Sequence, residues 1–359
     1  MAPEPDRPEC LLIADDLTGA CDASVHFAMR GRSTVVALGL EAAAGLEAAA
    51  PTAAEVIAVS TESRELGAEE LARLMADAAA RLPVSRARIL FKKIDSTLRG
   101  NVGAEIAAAL EAFGCDAAVV TPAFPAMNRV VEAGFLRVTA GAPFVPIEVA
   151  RRLRWQGAEP CAHVSSGMVA AAIDSGARFV SLEAVCDEDL DSIVAESLAL
   201  HRRVLWAGSG GLASALARTL APKPGPGCDF RLRQGAVLFC LGSDHPATLA
   251  QQDRVLAERP EHPVLRIPRG TLGEDQIREL IQAEPVRALV LSGGDTASAV
   301  CHALGAVRVR VCDEIVPGIP RGVLAGGLFD GLPVATKAGG FGEPDALVRV
   351  ADYFTQVKP

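Results

Sequence analysis

The sequence has few aromatic residues: 12 Phe, two Trp and one Tyr in 359, or 4% in all. A core built on large rings is therefore excluded. Half of the residues are hydrophobic, much of that half is Ala, and packed helices are the expected result. No apolar run reaches the roughly 18 residues that a bilayer span needs. Residues 1–9 lack the apolar stretch of a signal peptide. Positive charge is not in excess either. The formal charge of -9 argues against nucleic acid or an anionic membrane as partner. An anionic substrate must then be held by a local basic site working against the global field. The nine cysteines are odd in number, contain no CxxC spacing and suggest no zinc site. Free, mostly buried thiols in a reducing compartment are expected, with the cytoplasm as location. Neither a GxxxxGK[ST] loop nor a GxGxxG fingerprint occurs.

What is present is an alternation of short apolar runs with helical patterns. Strands are expected at 10–14, 33–39, 55–60, 88–93 and 116–122, with helices over 18–30, 67–81 and 101–113. Further strands at 177–182 and 203–208 flank a helix over 187–200. This rhythm predicts a mostly parallel sheet covered on both faces. The segment APKPGPG (221–227) can neither continue a helix nor pair well in a sheet, so it reads as a linker. A second series follows at 236–242, 264–268, 287–293, 307–312 and 332–336. Two α/β domains are expected, 1–220 and 228–359, each a mostly parallel sheet flanked by helices, with the active site in the cleft between them. The Ala-rich stretch 41–54 reads as a surface helix and loop.

In open α/β sheets ligands gather at the carboxyl ends of strands, so the polar residues there carry the functional reading. Asp15 and Asp16 end the first strand, and Asp16 or Thr18 is placed to cap the next helix. A cap needs only one acid, which leaves the second for chemistry. The loop Lys92 to Gly100 joins cations, an acid and hydroxyls: Lys93, Asp95, Ser96, Thr97 and Arg99. Its cations can clamp a carboxylate, and Asp95 can accept a hydroxyl proton. Lys92 is expected on the opposite strand face, and Asn101 as a helix cap. Arg64, after the strand 55–60, and Arg129, after the rigid PAFPAMN segment, are weaker signals standing alone. Three glycine-rich loops mark the second series: Gly242-Ser243-Asp244, Gly293-Gly294-Asp295-Thr296, and 337–342 with Gly339 and Gly340. Glycine lets backbone N–H groups approach phosphate oxygens, and a helix N-terminus adds a favourable dipole. The stretch Gly208-Ser209-Gly210-Gly211 reads either as a contributor or as an ordinary turn of the first domain.

The strings IADDLTGACD, KKIDSTLRGNVGAEI, TPAFPAMNR, GSGGLA, LSGGDTASAV and KAGGFG resemble those of the four-carbon acid sugar kinase family, in order from about 10 to 355. The resemblance implies an ATP-dependent phosphorylation of tetronates or 3-oxo-tetronates, with the acid held by the N-terminal domain and the nucleotide by the C-terminal one. By the same resemblance Asp15 and Asp16 match an acidic pair and Arg64 a substrate-site arginine. Lys93, Asp95, Ser96 and Thr97 match a substrate loop. Ser243, Gly293, Gly294, Asp295, Thr296 and Gly339 match nucleotide-contacting positions. The sequence departs from the pattern at Asn128, where Gly is usual, at Asp295, where Glu is common, and at Ala338, where Ser is usual. It is also shorter near 143–165 and 267–286. The expected chemistry has ATP on the three glycine loops, with Mg2+ bridging its phosphates. Lys93 and Arg64 would grip the substrate carboxylate. Asp16 or Asp95 would act on the accepting hydroxyl, with Asp95 preferred, and Asp15 or Asp16 could instead ligate magnesium. Two other readings stand beside this one: a sugar-phosphate isomerase or lyase with Lys93 as reactive amine, and a non-catalytic sugar-acid sensor. The oligomeric state is open, a homo-oligomer among the options.

Overall fold

The computed structural model describes residues 8–48, 54–141, 143–228, 230–231 and 233–356. Residues 1–7, and residues 49–53 of the Ala-rich stretch, lie outside them; the rest of that stretch belongs to a helix over Leu40–Ala48.

The strands are β1 (Cys10–Ala14), β2 (Thr34–Leu38), β3 (Val56–Ser60), β4 (Ile89–Lys93), β5 (Ala117–Thr121), β6 (Arg129–Glu132), β7 (Phe135–Val138), β8 (Ile147–Glu148), β9 (Cys161–Val164), β10 (Phe179–Leu182) and β11 (Val204–Gly208) in the first part of the chain. They are followed by β12 (Ala236–Leu241), β13 (Val264–Arg266), β14 (Val286–Ser292), β15 (Arg308–Val316), β16 (Ile319–Ala325) and β17 (Pro333–Lys337). A parallel block runs β2-β3-β1-β4-β11-β5-β10-β9, with the fully buried β1 near its middle. Cys10 pairs with Val56 on one side and Ile89 on the other. Burial on both faces explains why β1, β3 and β5 read as continuous apolar runs rather than alternating ones. A second parallel block runs β13-β12-β14-β17.

The two blocks belong to one 14-stranded sheet. β17, β16 and β15 pair antiparallel, and β15 pairs antiparallel with β2, Arg308 opposite Ala37. An edge that each block would otherwise leave unpaired is thereby satisfied. Residues 221–227 cross between the blocks without helix or strand. A separate three-stranded antiparallel sheet, β6-β7-β8, follows β5 and carries Arg129 at its start. The sequence pattern had not suggested it. The core is made of Ala, Val, Leu and Ile with a few rings, among them Phe27, Phe91, Phe179 and Phe239.

Two local expectations need correction. Cys228 and Cys312 are joined as a disulfide with a Cα–Cα distance of 6.0 Å, within the range such bonds require, so not all nine cysteines are free thiols. The exit from the 221–227 segment brings Cys228 against β15, a proximity that a separation of 84 residues hides in the sequence. The other seven are free. Asn101 sits at the N-cap of the helix Val102–Ala112 but does not cap it with its side chain; its Nδ2 donates to Leu66 O at 2.7 Å instead. No helix among the described residues is long and apolar enough to cross a membrane.

Candidate active site

A cavity of about 720 Å³ lies where the strand-end loops of the two blocks meet. Asp16, Arg64, Lys93, Asp95, Ser96, Thr97, Arg99 and Arg129 line it from one side. Ser243, Gly293, Gly294, Asp295, Thr296, Gly339 and Gly340 line it from the other. The structure therefore gathers these sequence-selected residues around one space. Asp15 is the exception: it is buried behind Arg64 and does not reach the cavity wall. The Gly208–Gly211 stretch also stays out, forming the turn from β11 into the helix Gly210–Arg218, with Ser209 Oγ accepting from Gly211 N.

The acid side is built on two strand ends. Asp16 caps the helix Leu17–Ala28 through Oδ1, which accepts from Gly19 N at 2.5 Å and from Thr18 Oγ1 at 3.1 Å. Its Oδ2 receives Arg64 Nη2 at 2.6 Å. Arg64 Nε donates to Asp15 Oδ2 at 2.6 Å, so the guanidinium is locked between the two adjacent acids. Burial pushes the Asp16 carboxyl up, but Arg64, Lys93 and the Gly19 N–H outweigh it, and the net value falls below the usual carboxylate range. Asp95 is held more firmly. Arg99 Nη2 and Nε donate to its two oxygens at 2.6 and 3.0 Å, Thr97 N donates at 3.0 Å, and Thr97 Oγ1 adds a short bond. Burial alone would raise it; Arg99 first, then Arg64 and Thr97, drive it far below the usual range.

Three further side chains are placed differently. Lys93 Nζ donates only to Ile94 O at 2.9 Å and makes no ion pair among the described residues. Lys92 points to the other face, as the strand alternation predicts, and pairs with buried Glu105 at 3.2 Å. Asp22, one helical turn below Gly19, lines the cavity floor with Oδ1 buried and without a hydrogen-bond partner among the described residues. Burial lifts it to about 6, moderated by Lys93 and Arg129 and reinforced by Asp16.

The glycine side is close-packed. A Cβ at Gly294, the first residue of the helix Gly294–Ala303, would lie 2.5 Å from Asp16 Oδ2, so that helix start and that carboxylate abut across the cleft. A Cβ at Gly242 would strike Thr296 Oγ1, and one at Gly339 would strike Ser243 Oγ. These glycines allow three loops to stack with their backbones exposed. Lys337 does not face the cavity. Its Nζ donates to Ala338 O, Gly339 O, Phe341 O and Thr248 Oγ1 at 2.9–3.2 Å, and burial lowers it to about 7. Gln251 Nε2 binds the carbonyls of Phe341, Gly342 and Glu343. Loop carbonyls that would repel an anion are thus taken up on the protein side.

Sequence reasoning missed His245, Arg269, Arg152 and Phe144 in the lining. Arg269 spans the cleft, 3.3 Å from Glu65 and 3.6 Å from Asp295. Pro246 directly after His245 marks a helix start and was the one usable signal for that residue. At Asn128 the backbone is left-handed, φ 63°, which explains why Gly is usual there and why Asn is accepted.

A family model described as a sugar-binding N-terminal domain matches residues 10–153, and one described as a nucleotide-binding C-terminal domain matches residues 274–347. A D-threonate kinase of Bordetella bronchiseptica is 36% identical, with 95% of this chain and 96% of that protein covered. A D-erythronate kinase of Heliobacterium modesticaldum is 30% identical, with 96% of each covered. The crystal structure of Haemophilus influenzae protein HI1011 shares the fold, with a TM-score of 0.68 at 22% identity, over 96% of this chain and all of that one. Neither of the two curated relatives is an isomerase, a lyase or a sensor.

Proposed function

The chain belongs to the four-carbon acid sugar kinase family, and we propose that it moves the γ-phosphoryl group of ATP to a hydroxyl of a small, four-carbon sugar acid such as a tetronate or 3-oxo-tetronate. The observation that carries this reading is the abutment of Asp16 on Gly294 inside one cavity. A chamber of cations and acids there faces three stacked glycine loops at a helix N-terminus, which suits an anionic acceptor on one side and phosphates on the other. Residues 1–220 would hold the acid and residues 228–359 the nucleotide, with 221–227 joining them.

The geometry redistributes the expected roles. Arg64 is already engaged by Asp15 and Asp16, so it acts as a strut that fixes Asp16. Lys93, which has no ion pair among the described residues, is the cation for the substrate carboxylate, with Ser96 and Thr97 beside it. Arg152, from the shortened 143–165 region, adds a second cation at the wall. Asp95 is the base expected from the sequence, but Thr97 and Arg99 direct five donors at its two oxygens, against three donors on Asp16, so it serves to order Arg99 and the loop. Asp16 stands at the seam where hydroxyl and phosphate would meet and takes the role of orienting the hydroxyl and accepting its proton.

No group of three metal-ligating side chains occurs among the described residues. That fits Mg2+, which is held largely by nucleotide phosphates and water with one or two carboxylates. Asp16 and Asp295 are carboxylates that line the cavity beside the phosphate loops, and bound Mg2+ would neutralise phosphate charge there. Domain closure, braced by Glu65–Arg269 and by Glu62–His302 at 2.8 Å, would keep water from competing as acceptor.

The test is a coupled ADP-release screen over threonate, erythronate, their 3-oxo forms and branched relatives. Acid-dependent ADP release from at least one is expected. Silence across the whole set would remove the proposal.

A further inference from the structure

His245 is assigned no part in the reading above, yet it stands at the junction of two chambers. It lines the 720 Å³ cavity and also a neighbouring one of about 710 Å³. Arg129, Gly340, Thr97 and Phe144 line both as well. His245 is the N-cap of the helix Pro246–Glu258, and its Nδ1 accepts from Ala247 N at 3.2 Å. A backbone N–H can only donate, so Nδ1 carries no proton in this arrangement. The proton of the neutral ring is then on Nε2, which becomes a directed donor. Protonating the ring would break the cap. Burial and the nearby charges of Lys337, Arg129 and Arg99 favour the neutral form as well.

Nε2 does not face empty protein. A Cβ built on Gly340 would lie 3.2 Å from His245 Nε2 and 3.3 Å from Arg129 Nη2, so the two donors converge over one glycine. Arg129 comes from the start of the separate β6-β7-β8 sheet and is 8% exposed. Its Nε is buried without a hydrogen-bond partner, and it has no carboxylate within ion-pair distance among the described residues. Phe341 packs on its guanidinium at 5.0 Å from the ring centroid, Nη1 donates to Met127 O, and Nη2 makes a long bond of 3.4 Å to Gly340 O, which leaves its second N–H and Nε–H for an anion. A buried cation so held, with a neutral donor opposite and a side-chain-free glycine between them, forms an anion clamp built from the β6-β7-β8 sheet and the loop after β12.

We infer that His245 Nε2–H and the Arg129 guanidinium together bind the terminal phosphoryl group during its transfer, which makes His245 a further catalytic residue. This rests on the kinase reading. In the step, the acceptor oxygen bonds to the γ-phosphorus while the bond from that phosphorus to the β,γ-bridging oxygen breaks. The electron pair stays with ADP, and the hydroxyl proton passes to Asp16. The clamp donates hydrogen bonds to the oxygens of the group in flight and exchanges no proton.

The test compares wild type with H245S and H245N, since Ser and Asn both cap helices well and so keep the helix start. Calorimetric titration with ATP and, separately, ADP needs no acceptor. H245S should weaken ATP about 10-fold, the value of a hydrogen bond to a charged group, and leave ADP within about twofold. Its kcat should fall about 100-fold, as for loss of one donor to a developing charge, with an unchanged melting temperature. H245N, which retains an N–H donor, should recover part of both losses. Combined with R129M, H245S should cost less than the product of the two single losses, because both act on one group. ATP affinity and kcat in H245S within twofold of wild type would overturn the inference, and so would equal weakening of ATP and ADP. Wild-type protein that bound neither nucleotide would remove the kinase reading along with it.

Discussion

Asp22→Asn should make the protein more stable at neutral pH. Asp22 is buried, its Oδ1 has no partner among the described residues, and burial lifts its carboxyl from 3.8 to about 6. A carboxyl raised on folding binds its proton more tightly in the native state, so native stability falls as pH rises between those two values. Below about 3.8 both states are protonated and the penalty vanishes. Above about 6 it is complete and amounts to about 3 kcal/mol, at 1.36 kcal/mol for each unit of pKa. Asn has the same shape and no charge to desolvate. The variant should therefore match wild type near pH 4 and exceed it by about 3 kcal/mol at pH 7 and above. Urea unfolding followed by fluorescence and circular dichroism, at half-unit pH steps, gives the difference. A gap that stayed constant with pH, or a variant less stable at pH 7, would refute the reasoning. The same variant should lose at least about 10-fold in turnover, because a costly buried charge on a cavity floor is retained for function.

Asp95→Asn should release Arg99 and loosen Arg64, lowering kcat by about 100-fold, as misplacement of a site by about 1 Å can do. ATP affinity should stay near wild type in the same titration. Lys92→Met leaves Glu105 buried beside Ser63 without its cation and should cost about 3–5 kcal/mol in urea unfolding. The double replacement Lys92→Met with Glu105→Leu should recover much of that loss.

Much of this molecule could be read from its sequence, because buried parallel strands advertise themselves. CLLIA, EVIAVS and DAAVVTP are apolar runs bounded by turn residues, and the structure has β1, β3 and β5 there. The polar residues that end them had to lie at one edge once the strands were parallel, which is why Asp16, Lys93 and Asp95 could be chosen together. The pairing of β2 with β15 was hidden, since an exposed edge and a paired one differ little in composition. So was the β6-β7-β8 sheet, whose strands run for four residues or fewer. Side-chain partnership was the least legible level. Asp15 and Arg64 look like ligand contacts in the sequence, whereas in the fold Arg64 Nε donates to Asp15 Oδ2 and the pair is joined behind the cavity wall. His245 and Arg129 are 116 positions apart and meet only because the β6-β7-β8 sheet and the loop after β12 face one cleft, over Gly340, where a Cβ would crowd both.

The most direct test of the account is transfer of label from γ-32P-ATP to the sugar acid, with the product isolated by anion exchange. Label should appear on a tetronate or 3-oxo-tetronate in proportion to the ADP formed, and should depend on Asp16 and Lys93. Label released only as inorganic phosphate, or label on no acid at all, would contradict it.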